Sequence, residues 1–149
     1  MTIFIVLLSV TLLLRGLGAL GVDALANWGL CLRGGLAAMF LLTASAHWGR
    51  RRPDLIRMVP PAFPRPDVIV TLTGYLEILG AVGLLLPTTA RLSAACLAVL
   101  LLAMFPANIR AAREHLSIGG QAATALWLRT ALQVIFVAAL AAIALDAFA

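Results

Sequence analysis

One glutamate, Glu77, stands near the middle of an apolar run from Val68 to Leu86. Set in hydrocarbon, a carboxyl so far from either helix end cannot snorkel to water, and burying it costs several kcal/mol unless it is paired, hydrated or protonated. A glutamate in that position binds a proton or a ligand, or clasps a neighbouring helix. Thr73, Glu77 and Gly80 share a face at helical spacing, while Leu72, Leu76, Leu79 and Leu86 occupy other positions. The polar stripe is expected to face the protein and the leucines lipid.

A second charge, Arg15, interrupts the first apolar run. Arg15-Gly-Leu-Gly-Ala-Leu-Gly resembles Glu77-Ile-Leu-Gly-Ala-Val-Gly, and the two charges would lie roughly 10 and 13 Å from the same ends of parallel helices. This predicts a buried Arg15–Glu77 ion pair, with the glycines allowing close approach. The rival role for such a pair is a clasp that fixes helix register. Thr43, His47, Asn108 and Gln133 are expected to join Glu77 around one polar cavity. His47 beside Trp48 is, taken alone, an interfacial anchor. Pro106 would free a backbone carbonyl near Asn108.

The positioning elements follow from composition. The chain has 149 residues, 63% hydrophobic and only 11% charged, with a mean hydropathy of +1.07. Soluble domains are nearer half apolar and a quarter charged, so water is the wrong solvent for this core. Runs of roughly 20 apolar residues match a bilayer core of about 30 Å. They predict an all-α membrane bundle in one domain, with a four-helix core at 28–48, 68–86, 92–109 and 124–145 and a further N-terminal helix at 2–22. Residues 3–14 also resemble the apolar part of a signal peptide. No basic residue precedes them and Arg15 follows, so a retained helix is preferred.

The formal charge of +5 comes with eleven arginines and no lysine. In a membrane protein it marks orientation, not nucleic-acid binding. Loops 49–67 and 110–123, with Arg129 at the rim, hold eight of the eleven arginines, which places these loops in the cytoplasm of a bacterial inner-membrane protein. Within the first loop, Pro53 to Val59 reads as a short helix ended by Pro60. Its apolar residues either enter the membrane interface or close the bundle. Cys31 and Cys96 fit apolar core positions better than a disulfide. No metal-ligand spacing, phosphate loop or nucleophile–base pair occurs, so neither a self-contained enzyme nor a cofactor is expected.

Four ordered stretches carry a family resemblance: Leu36–Phe40 with Ala46-His47-Trp48, Arg57–Pro61 with Pro64-Arg65-Pro66, Thr73–Glu77 with Gly80–Leu85, and Phe105-Pro106-Ala107-Asn108. In that order the chain resembles the DoxX family of small bacterial membrane proteins. The resemblance implies a four-helix core, an auxiliary place in a redox-linked membrane system, and a quinone or lipid-like ligand near Glu77, His47 and Asn108. A redox-enzyme partner or a homo-oligomer would accompany that role. Two other readings rest on the residues: a small proton-coupled transporter cycling a proton on Glu77, and a docking partner that holds a soluble enzyme on Arg50, Arg51 and Arg52. An Arg15 ion pair would argue against the transporter.

Overall fold

A computed structural model describes residues 2–146, and it is helical almost throughout. The chain forms α1 (Thr2–Ala19), a 3-10 turn at Asp23–Ala26, α2 (Trp28–Ser45), α3 (Arg52–Met58), α4 (Pro66–Leu85), α5 (Ala90–Arg113), β1 (Ser117–Ile118), β2 (Gln121–Ala122) and α6 (Leu126–Ala144). Five of these helices are long and apolar enough to cross a membrane.

Local chemistry sets the boundaries. Gly21 takes φ +107 just beyond α1, a conformation that stops a helix and suits glycine. Asn27 caps α2, its Oδ1 accepting from Leu30 N–H at 3.0 Å. Pro53 and Pro66 lie in the first turns of α3 and α4, where a missing N–H costs nothing. Leu86, just before Pro87, is extended and ends α4. The connection after α5 is a tight hairpin pairing Ser117 with Ala122 and Ile118 with Gln121. Its two loop residues, Gly119 and Gly120, both have positive φ, as a two-residue hairpin turn requires.

Several boundaries differ from the sequence expectation by one to four residues, and two of them have a local cause. α2 stops at Ser45, leaving His47 and Trp48 in the following turn. Ser45 there turns its hydroxyl back onto Leu42 O at 2.6 Å, a local bond that competes with helix continuation. α5 instead runs four residues further than expected, to Arg113. Ala111 is fully buried in that extra turn, and Arg110 and Arg113 suit the negative end of the helix dipole.

α1 packs on α2, α2 on α4, α4 on α5 and α5 on α6, and α6 returns to touch α2. The expected four-helix core is therefore α2, α4, α5 and α6, with α1 outside. Leu36, Met39 and Phe40 of α2 meet Ala81 and Leu84 of α4, Leu97 of α5 and Phe136 and Leu140 of α6. Leu72, Leu76 and Leu79 point outward, as the polar stripe on their helix predicts. α3 and the hairpin close one end, which also carries the exposed Arg50 and Arg51. Met58 and Val59 are buried there, so α3 covers the bundle. Asp54 Oδ2 accepts from Gly119 N–H at 2.7 Å and its other oxygen pairs with Arg57. The Gly119 N–H, then the Arg57 guanidinium, hold the Asp54 carboxyl below the usual carboxylate range. The cysteines are both free, Cys31 buried and Cys96 exposed on α5, so only Cys31 fills the core position expected of it.

The α1–α2 contact depends on Gly35. A Cβ there would overlap Thr11 Oγ1 and lie 2.8 Å from Leu7 O, whereas a Cβ on Gly16 would meet nothing within 4 Å. Gly35→Ala is expected to cost about 1–3 kcal/mol through overpacking. Gly16→Ala should be neutral or stabilising by up to about 1 kcal/mol, because alanine favours the helix. Thermal unfolding of the detergent-solubilised variants, followed by circular dichroism, checks the contrast; equal midpoints would contradict it.

Candidate functional site in the seam between α2 and α4

Gly74 sets how closely α2 and α4 approach. A Cβ at this position would fall 2.8 Å from His47 Cβ and from the Trp48 ring. With glycine in place, His47 lies directly against α4, three residues from Glu77 along that helix. His47 and Glu77 are 6% and 3% exposed, so the seam is closed to solvent at both.

Thr43 is the hub of this seam. Its Oγ1–H has two acceptors in reach, Glu77 Oε2 at 2.7 Å and Phe40 O at 2.9 Å. His47 Nδ1 lies 3.2 Å from Thr43 O, so its N–H can donate to that carbonyl. Trp48 closes the seam from outside, edge-on to Tyr75 with ring centroids 5.1 Å apart. Arg52 ties the end down: Nη1 donates to His47 O at 2.8 Å and Nη2 to Thr71 Oγ1 at 2.9 Å. Burial pushes the His47 imidazole below its ordinary 6.5, and the Arg52 charge acts in the same direction, against the hydrogen bonds to Thr43 and Ala44.

The expected Arg15–Glu77 pair does not form. Among the described residues the ion pairs are Arg57–Asp54, Arg91–Asp146 and Arg110–Glu114. α1 packs on α2, and α2 stands between it and α4. Arg15 instead lies over the Trp28 ring, 5.3 Å from its centroid, a favourable cation–π arrangement. The matching glycines do permit close approach, but to different partners: Gly18 meets Leu25 O, while Gly80 and Gly83 meet Leu97 and Ser93 of α5.

The other expected site residues separate as well. Asn108 Oδ1 accepts from Arg129 Nη1 at 2.9 Å. Gln133 Nε2 donates to Leu101 O at 2.6 Å, in the stretch of α5 where Pro106 removes a backbone N–H from the ladder. Both contacts belong to the α5–α6 side. Thr73 bonds back to Ile69 O and Val70 O of its own helix. Glu77, Thr43 and His47 thus form one cluster, Asn108, Arg129 and Gln133 mark another helix pair, and Arg15 stands apart. Sequence reasoning placed Arg52 with Arg50 and Arg51 as a docking surface. Its internal role had one sequence signal, its position just before the Pro53 helix start.

A sequence family described as a domain of unknown function (DUF8561) matches residues 36–144. The chain belongs to that family. The match begins inside α2 and ends with α6, so it spans the cluster around Glu77 and leaves α1 outside. This corrects the resemblance to DoxX. Gly-Ala-Val-Gly-Leu-Leu is a string of small and apolar residues of the kind membrane helices use for packing, so such strings do not by themselves establish a family. No curated protein and no solved structure matches the chain.

Two measurements check the DUF8561 site geometry. Thr43→Val removes the Glu77 partner at nearly constant volume and is expected to destabilise by about 1–3 kcal/mol, the cost of a stranded buried polar group. For His47, the fold favours the neutral ring while the unfolded chain takes up a proton near 6.5. Stability is therefore expected to decline as pH falls through 6.5 and to level off below the folded-state value. His47→Gln should flatten that decline in thermal melts at graded pH; an unchanged slope would contradict the assignment.

Proposed function

We propose that this protein is a small multi-pass membrane transporter that couples solute movement to a proton carried by Glu77. The observation that supports this most is the surroundings of Glu77: a carboxyl 3% exposed, bonded to Thr43 and included in no ion pair among the described residues. A hydroxyl has one proton to give. If Thr43 gives it to Phe40 O, the Thr43–Glu77 contact needs a proton from the carboxyl. Glu77 then rests as the neutral acid, which also avoids the cost of an unpaired buried charge. The ion pair that would have argued against proton coupling is gone.

Cycling follows from the same physics. Opening the seam between α2 and α4 admits water, stabilises the carboxylate and releases the proton; closing it favours reprotonation. The weak point is the His47 end, where the chain leaves α2 and is held by Arg52. With the arginine-rich loops in the cytoplasm, as the positive-inside bias indicates, this end opens to the cytoplasm of a bacterial inner membrane.

The quinone-linked reading rested on the DoxX resemblance and is not carried forward. A docking surface made of Arg50, Arg51 and Arg52 is weakened because Arg52 holds the fold together. Reconstitution into liposomes loaded with a pH-sensitive dye tests the proposal. Wild-type protein should dissipate an imposed pH gradient in the presence of its solute, screened from small polar metabolites. Glu77→Gln should abolish that flux while keeping the helical spectrum, and Glu77→Asp should retain part of it. Gradient-coupled flux that survives Glu77→Gln would overturn the proposal.

A further inference from the structure

The end of the bundle away from the α3 cap holds a cleft of about 470 Å³, lined among others by Leu30, Arg33, Pro87, Arg91, Ile143 and Asp146. Here α2 and α5 begin and α4 and α6 end. Arg33 donates from Nε to Leu84 O at 2.7 Å, an acceptor in the last turn of α4. Among the described residues its Nη2 is buried without a hydrogen-bond partner, and no carboxylate pairs with it. Buried charged N–H groups are nearly always satisfied, so this Nη2 has a donor left for a group in the cleft. Arg91 lies across the same cleft, with a side chain 64% exposed and paired with Asp146.

The charges select the ligand. Arg33 and Arg91 against Asp146 leave one net positive charge in the lining, which matches the single negative charge of a phosphodiester. The planar fork of arginine suits phosphate oxygens; the two positive helix ends of α2 and α5 are offset by the negative ends of α4 and α6, so the arginines carry the preference. Leu30, Pro87 and Ile143 add apolar wall beside the charges, as a glycerol and acyl-chain root would need. If the five apolar helices span the bilayer, a cleft at their ends lies at headgroup depth.

We propose that this cleft binds the phosphodiester headgroup of a phospholipid in the leaflet opposite the α3 cap. The site is independent of Glu77.

Native mass spectrometry of the purified full chain, released from micelles of phosphatidylglycerol, phosphatidylcholine or a diacylglycerol of the same chains, tests it. Both phospholipids should be retained one to one and diacylglycerol should not. Arg33→Gln should weaken phospholipid retention on the order of tenfold, or 1.4 kcal/mol. Arg91→Gln should weaken it several-fold, and it disturbs only an exposed pair, so it decides the matter if Arg33→Gln folds poorly. Arg113→Gln, at the other end, should change nothing. Equal retention of diacylglycerol, or wild-type retention in Arg91→Gln and in any folded Arg33→Gln, would overturn the proposal. So would binding of inorganic phosphate that displaces the lipid, which would make free phosphate the ligand.

Discussion

The hydrogen bond between Thr43 and Glu77 crosses the seam between the two helices on which the core is organised. It holds a carboxyl in a place where charge is costly, and it does so without a paired cation among the described residues. The surrounding architecture makes that contact feasible. Gly74 lets α2 come close enough for His47 to lie on α4. Trp48 and Tyr75 shield the seam, and Arg52 ties its open end to Thr71. A bulkier residue at 74 would separate Thr43 from Glu77 and leave two buried polar groups without each other.

The two ends of the bundle use arginine differently. At the α3 end, Arg52 and Arg110 donate to the carbonyls of His47 and Val59, and Arg129 bonds Thr124 O and Asn108. These side chains satisfy acceptors that helix ends and loops leave open. At the other end, Arg15 stacks on Trp28 and Arg33 meets the last turn of α4. Part of the arginine bias is therefore structural, which is why counting arginines along the sequence marks the ends of the bundle better than it marks a docking surface.

Much of the fold was legible because hydrocarbon imposes simple demands. Long apolar runs become helices, and Leu72, Leu76 and Leu79 must face away from Glu77. The hydrophobic pattern does not say which helices touch. Parallel helices with matching glycine strings suggested Arg15 as the partner of Glu77, but α2 separates them. Thr43 was readable as a polar residue on the neighbouring helix, though not as the direct partner. Asn108 and Gln133 could not be assigned to α5–α6 contacts because the pattern does not say that α6 lies against that face of α5. Family likeness failed for a related reason: short motifs in membrane helices reflect packing needs as much as descent.

The central claim is that Glu77 rests as a neutral acid bonded to Thr43. Infrared difference spectroscopy between wild type and Glu77→Gln, both in lipid at neutral pH, addresses it directly. The account predicts a protonated-carboxyl C=O stretch in the wild type that vanishes in Glu77→Gln and shifts in frequency in Thr43→Val. A carboxylate signature for Glu77 at neutral pH, with no protonated band, would contradict it.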